Sequence, residues 1–475
     1  MLDLVIRGGT VVTPNSVGEW DVGIIGEQIV TVSEKNTLTR DIGREIDARG
    51  KIIIPGGVEP HAHVAAPIVF QPGNLETAPP EQVSKAALFG GTTTIVDFAL
   101  CNPGSDIPIA VEERNSRWKG KSYVDYSYHI TIMGEPTLRV IDQIKESIAE
   151  GFPTIKIFTT NIIPNPLAKA RRMVGMGDIS EIMEEVAIHN GLLFVHAEDD
   201  DIVNHMYRRL VREDRTNWKY LHLAHSNMSE DLSFRRIIRL TEWTGAAVYF
   251  VHVSAKQGIS AIQEGRSKGL PIYGETLHNY IAFSNENYKE PDGMKYHTYP
   301  SLKSKEDQLA LWDGLQGGGL TCVATDEYCT SYDLKTKGRT IFDVTGGHNG
   351  VETRVGITYN EGVVKRGMSL SRFVDITSSN AARILGMYPK KGAIAPGSDA
   401  DLVILNPKLD RTLVKTDFHI SDYSIWEGWP IKGWPSTTIL RGKVMVEEGR
   451  LLGSLGDGQL TPRRISREVI SRPVL

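Results

Sequence analysis

Apolar and polar residues alternate along this chain with two different periods. Near the start, short apolar runs at Leu4-Val5-Ile6, Val11-Val12, Val22-Gly23-Ile24-Ile25 and Ile29-Val30 are separated by turn residues such as Gly8-Gly9 and Gly26-Glu27. This spacing predicts strands joined by tight turns. The far end repeats it, at Ala400 to Leu405 and Ser436 to Val446. Together the ends predict one small β-sandwich domain formed from both termini, residues 1–54 and 390–460.

The middle of the chain, residues 55–389, alternates apolar runs with helical patterns. Strands are expected at Gly91 to Asp97, Tyr126 to Ile132, Thr154 to Phe158, Leu192 to His196, Val248 to His252, Pro271 to Thr276 and Thr321 to Asp326, and Ile52-Ile53-Ile54 brings the count to eight. Ile179 to His189 and Leu232 to Thr244 read as helices between them. Repeated strand-then-helix units imply a parallel sheet, and eight of them are the number for a (β/α)8 TIM barrel. An open doubly wound α/β sheet would satisfy the same pattern. Residues 461–475, with Arg463, Arg464, Arg467 and Arg472, read as a C-terminal arm, either a subunit contact or disordered.

Composition narrows the function. With 40% hydrophobic and 23% charged residues in 475, the chain can bury a large core without disulfide or metal staples. A net charge of −5 argues against nucleic acid as a partner. Apolar runs are of strand length, so no membrane association is expected, and the first residues read as a strand rather than a signal peptide. Three cysteines, Cys101, Cys322 and Cys329, suit a reducing compartment, and a cytoplasmic location is expected.

The chemistry lies where polar residues end or interrupt the apolar runs: His61-Ala62-His63, Lys156, His196, His252 and Asp326. In a barrel these positions share the C-terminal mouth. Two histidines two residues apart can face one way and hold Zn²⁺, Mn²⁺ or Fe²⁺. Alone, such a pair is often a solvated strand end; four histidines at corresponding strand ends are not explained that way. A lysine within an apolar strand loses its proton easily. Its neutral amine can take up CO₂ to form a carbamate that bridges two metals. Two divalent ions, the carbamate, Asp326 and a bridging hydroxide leave a net charge of about +1, enough to hold hydroxide and polarise a carbonyl. Asp326 is then both ligand and general base, passing the proton of the attacking water to the leaving nitrogen.

These residues sit in longer motifs: Pro55-Gly56-Gly57-Val58-Glu59-Pro60-His61-Ala62-His63, Gly90-Gly91-Thr92-Thr93-Thr94, Phe194-Val195-His196-Ala197-Glu198, Phe250-Val251-His252-Val253-Ser254, Gly274-Glu275-Thr276, Ser379-Asn380-Ala381-Ala382-Arg383 and Lys391 to Asp401. Over nearly its whole length the chain resembles the hydantoinase/dihydropyrimidinase group of the amidohydrolase superfamily. The resemblance implies hydrolysis of a cyclic amide or ureide, a small-molecule substrate and a homotetramer, with a homodimer as the alternative. It also implies two divalent ions per subunit, Zn²⁺ or else Mn²⁺, bridged by N6-carboxylated Lys156. His61, His63, Lys156, His196, His252 and Asp326 are the implied metal ligands.

The pocket departs from the family pattern. Asn161 stands where the group has a tyrosine that binds substrate and oxyanion, so that donor is shorter. Glu327-Tyr328 replaces His-Cys, and Glu327 is expected to face away from Asp326, or else to raise its pKa. Tyr299 replaces a serine, and Gly346 an asparagine, that both act through the backbone. His348 and Asn349 replace a Gly-Pro pair. Asn161, Tyr299, Gly346, His348 and Glu327 are therefore the candidate substrate contacts. A linear amide or carbamate is the alternative substrate class; a non-catalytic scaffold and a mononuclear deaminase are further readings that the six ligands argue against. Trp426 to Trp434 is expected to pack the small domain against the barrel, and His222 and His225 to be solvated or to face another subunit.

Overall fold

The computed structural model describes residues 1–39, 41–69, 71–163 and 172–474. The strands at the N-terminal end are β1 (Leu2–Val12), β2 (Val17–Ile25), β3 (Gln28–Glu34), β4 (Ile42–Asp47) and β5 (Ile52–Pro55). The middle supplies β6 (Gly57–Glu59), β7 (Thr92–Cys101), β8 (Asp125–Ile132), β9 (Thr154–Phe158), β10 (Leu192–His196), β11 (Val248–Phe250), β12 (Ile272–Leu277) and β13 (Cys322–Ala324). The chain returns with β14 (Leu402–Thr412), β15 (Pro430–Leu440), β16 (Lys443–Glu447) and β17 (Arg450–Leu451).

β6 to β13 pair in sequence order as an eight-stranded parallel sheet. Their residues are almost all buried, because helices cover the outside and side chains fill the inside, which is why they read as unbroken apolar runs. Beyond β6 and β13 the chain makes a parallel bridge between Ala62 and Glu327, with the His63 N–H donating to the Glu327 carbonyl at 2.8 Å. Inside that seam the Glu59 carboxylate accepts from the backbone N–H groups of His61 and Thr325 and pairs with the Arg354 Nε at 3.0 Å. The sheet therefore curls round as a barrel, and the open doubly wound arrangement is excluded. Helices Met176–Ile188 and Asn227–Thr244 fall on the two predicted helical stretches, with His189 capping the end of the first; the second is capped by the Ser226 side chain and stops at left-handed Gly245.

The two ends form one nine-stranded mixed sheet, stitched together by antiparallel pairing of β5 with β14. This corrects one expectation: Ile52-Ile53-Ile54 lies in the terminal sheet, and the first barrel strand is the short run Gly57–Glu59. The physical reason is that β5 serves two cores. Ile53 packs with Leu4 and Ile404 in the terminal core, whereas Ile52 and Ile54 join the main barrel core. Gly56 makes the crossing, since a β-carbon there would lie 2.1 Å from Thr93 Oγ1.

The C-terminal arm is folded against the barrel floor. Arg463 is buried and donates to Ser127 Oγ, the Tyr128 carbonyl and Thr154 Oγ1, at the starts of β8 and β9. Tyr273 of β12 donates to the carbonyls of Val469 and Arg472. Arg463→Ala would leave these acceptors unpaired and is expected to lower the apparent Tm by about 5 °C or more, measured by scanning calorimetry. Among the described residues no helix is long and apolar enough to cross a membrane.

Candidate metal centre and substrate pocket

Parallel strands carry their last side chains to one mouth. His61 and His63 follow β6, Lys156 is the central residue of β9, His196 ends β10, His252 follows β11 and Asp326 follows β13. All six line one cavity of about 1660 Å³. His252 (φ 39°) and Asp326 (φ 51°) both occupy the left-handed region, so two of the six positions carry backbone strain.

Three ligand atoms converge. His61 Nε2 lies 3.3 Å from His63 Nε2 and 3.1 Å from Asp326 Oδ1, and His63 Nε2 lies 3.2 Å from the same oxygen. The histidines are aimed by neighbours. His61 Nδ1 is 2.5 Å from Glu275 Oε1, and the other Glu275 oxygen accepts from the Tyr249 hydroxyl. His63 stacks on Phe98 at 4.5 Å. His196 Nε2 is held 3.0 Å from Glu198 Oε2, leaving Nδ1 as its second nitrogen, and its ring meets that of His252 edge-on at 4.5 Å. Each histidine fixed through one nitrogen offers the other, the usual arrangement behind a metal ligand.

The charges follow from burial and these partners. Burial opposes a charged His61, but Asp326 and Glu275 outweigh it and hold its pKa at about 9. Burial would raise Asp326, yet His61 and His63 hold it well below the carboxylate range. Burial brings His196 down to about 4 and Lys156 down to about 7. Lys156 is nearly inaccessible, with its Nζ 5.7 Å from the centre of the Phe98 ring and 5.2 Å from that of Phe158. A site that gathers a proton onto an imidazole beside an ionised carboxylate already presents donors that suit a divalent cation. His61, His63 and Asp326 thus form a candidate metal-binding group. A second buried group, Asp125, Asp399 and Asp401, has its cation supplied by the Lys391 ammonium.

The substrate contacts expected from sequence divide. Asn161, Tyr299 and Gly346 line the cavity. The Asn161 side-chain oxygen accepts from the backbone N–H groups of Arg172 and Met173, so its amide also shapes the wall. Glu327 and His348, also expected as contacts, are not among the residues that line the cavity. The Glu327 carboxylate is drawn away by the N–H groups of Gly350 and Val351, at 2.5 and 2.7 Å, and burial pushes its pKa up to about 8. His348 is buried with Nδ1 directed at the Asn349 carbonyl, 3.3 Å away, and its ring faces His278. Tyr328 takes the space beside the metal group, its ring 6.1 Å from that of His63 and its hydroxyl donating to the Pro67 carbonyl.

His225 is another correction. It is wholly buried, with Nδ1 2.9 Å from Glu198, so it belongs to the support of His196; His222 is partly buried. Trp426 is buried against His278 and Phe283, and Trp434 of β15 covers Gly356 in the barrel's wrapping, as packing between the two parts requires. The residues whose roles sequence reasoning missed are Glu59, Glu198 and Glu275. All three stood inside the quoted motifs, each within two residues of a histidine or on a neighbouring strand, and that adjacency was the available signal.

Residues 52–445 match the model of the amidohydrolase family. The D-hydantoinase of Rhizobium radiobacter is 32% identical over 468 residues, covering 98% of this chain and 99% of that protein. The D-hydantoinase of Geobacillus stearothermophilus is 33% identical, covering 96% of each. Among solved structures, dihydropyrimidinase from Brevibacillus agri NCHU1002 superposes with a TM-score of 0.92 at 31% identity, covering 98% of this chain and all of that one.

Proposed function

Because the chain belongs to the amidohydrolase family, we propose that it is a hydrolase that opens a cyclic amide or ureide at the mouth of its barrel. The observation that carries this reading is the convergence of His61, His63 and Asp326 within one cavity that also holds Lys156, His196 and His252. The D-hydantoinases and the dihydropyrimidinase that it resembles support the cyclic substrate class. His61, His63, His196, His252, Asp326 and a carboxylated Lys156 would hold two divalent ions, Zn²⁺ or Mn²⁺. When bound, such ions supply Lewis acidity toward the carbonyl and lower the pKa of water.

The chain's own residues do the rest. Lys156, whose amine burial brings to about 7, exists partly as the neutral form that adds CO₂, releasing one proton as the N–C bond forms. Asp326 accepts the proton of the attacking water and returns it to the ring nitrogen as the C–N bond breaks, so water ends as a carboxyl oxygen and an N–H. Glu275 and Glu198 keep His61 and His196 oriented. Tyr299 and Gly346 line the cavity, and their backbone would meet the ring's polar edge. A linear amide or carbamate is the second reading, favoured by the cavity volume and by Asn161 in place of a phenol donor.

The test is a mass-spectrometric screen for substrates that gain one water. Metal-loaded protein with bicarbonate meets dihydropyrimidines, hydantoins, cyclic imides, lactams and linear amides. A cyclic hit that disappears on chelation and returns with Zn²⁺ or Mn²⁺ is expected. Hits confined to linear amides would transfer the function to the second reading, and no hit from protein shown to carry two metals would reject both.

A further inference from the structure

One wall of the cavity is built from two loop segments. Thr298 and Tyr299 contribute one segment, and Gly346 and Gly347 the other. They are packed tightly: a β-carbon on Gly346 would fall 2.3 Å from the Tyr299 ring, and one on Gly347 would fall 2.4 Å from Tyr328 Cβ. Neither segment is a strand of the barrel, so no sheet ladder sets the spacing between them. Two side chains bridge them: the Tyr299 hydroxyl donates to the Val344 carbonyl at 3.0 Å, and Lys335 makes the larger set of bonds. Lys335, fully buried in the short helix Tyr332–Lys335, sends its Nζ to the carbonyls of His297 at 2.5 Å, Thr345 at 2.9 Å and Gly347 at 2.5 Å. Three acceptors match the three N–H groups of an ammonium; a neutral amine has two. Among the described residues no carboxylate pairs with Lys335, and its three bonds all go to carbonyls of these two segments. A buried lysine without a carboxylate is costly unless its N–H groups are all used, and here they are used to join the two segments.

We propose that Lys335 is a positioning residue for substrate binding, whose three hydrogen bonds hold the backbone at 297–299 and 345–347 at the separation that receives the polar edge of the substrate. This rests on the hydrolase reading above for the identity of the ligand. It assigns to Lys335 an effect on binding rather than on the bond-breaking step. The metal group lies on other elements, after β6 and β13, and depends on Glu59, Glu275 and Glu198 for its alignment.

The experiment uses the full-length metal-loaded protein and two variants. Lys335→Met keeps the bulk and removes the donors; Gly346→Ala leaves Lys335 in place and forces the segments apart through the Tyr299 ring. Each is assayed with the substrate found in the screen, or with hydantoin and dihydrouracil, alongside metal content and peptide-level hydrogen exchange. Both variants are expected to raise KM about 10- to 100-fold, with kcat within about threefold and metal content unchanged. In Lys335→Met, faster exchange should be confined to peptides covering 296–300 and 344–349. An unchanged KM, or a kcat that falls together with metal content while KM holds, overturns the proposal, as does faster exchange spread through the barrel. If Lys335→Met does not fold, Gly346→Ala decides on the KM split. If the wild type turns over nothing, the hydrolase reading fails by itself; the exchange comparison then judges Lys335, and unchanged exchange in the two segments rejects its role.

Discussion

Lys156→Ala is expected to reduce kcat/KM by about 10³-fold or more while leaving a folded barrel. Lys156 is the central residue of β9, nearly inaccessible, with its Nζ above the rings of Phe98 and Phe158. A charged amine at this place is opposed by burial, and Asp326 and Glu275 only partly restore it, leaving a pKa of about 7. Nothing in packing calls for an amine there, since a leucine or methionine would suit a strand buried on both faces. Its retention beside four histidines and an aspartate is best explained by chemistry that uses the neutral amine. Removing it relieves a desolvation cost and leaves a small cavity, two effects of opposite sign, so the thermal transition should move little. The measurements are kcat/KM on the substrate found, metal per chain by mass spectrometry, and far-UV circular dichroism. Two metals per wild-type chain and fewer in the variant are expected. A variant that kept a tenth of wild-type activity would remove Lys156 from the reaction and restore the mononuclear reading.

The second large effect concerns folding. Lys391→Met is expected to destabilise the protein by about 3–5 kcal/mol at neutral pH. Its ammonium is 1% exposed and lies 2.6 Å from Asp125, 2.9 Å from Asp399 and 2.6 Å from Asp401. Burial opposes its charge, but the three aspartates hold its pKa above the ordinary lysine range. Asp125 opens barrel strand β8, whereas Asp399 and Asp401 lead into β14 of the terminal sheet, so one cation fastens the two parts together. Arg441, just beyond β15, adds a further bond to Asp125. Without the ammonium, three buried carboxylates would repel one another, and the folded state would take up protons that the unfolded chain does not hold near neutrality. Folded pKa values above unfolded ones mean that stability rises as pH falls. Lys391→Met should therefore recover part of its loss between about pH 7 and pH 5. Denaturant unfolding at both pH values checks this; an equal loss at both would mean the carboxylates had found other partners or solvent.

Much of this molecule could be read from its residues in order. Apolar runs of strand length, each followed by a polar residue at the same relative place, implied a parallel barrel with its chemistry at one mouth. His61, His63, Lys156, His196, His252 and Asp326 stood out because each is out of keeping with the run that precedes or surrounds it. A strand carries its phase over only a few residues, and that is enough to say which residue ends it and which way a neighbour two positions on will point. The terminal sheet was legible for the same reason.

What the sequence left undecided are the relations between residues far apart along the chain. Ile52-Ile53-Ile54 is apolar on both faces, so its pattern could not say whether it belonged to the barrel or to the sheet; only the two cores meeting at β5 decide that. Glu327 follows Asp326 directly, yet its direction depends on the N–H groups of Gly350 and Val351. The arm is anchored through Arg463 to residues more than 300 positions earlier. A carboxylate, an ammonium or a guanidinium takes whichever partners the fold brings within hydrogen-bond reach, and burial sets the worth of that choice. Periodicity therefore determined the elements and the reactive positions, whereas the partners of the buried charges, and with them the shape of the pocket wall, were decided by the tertiary structure.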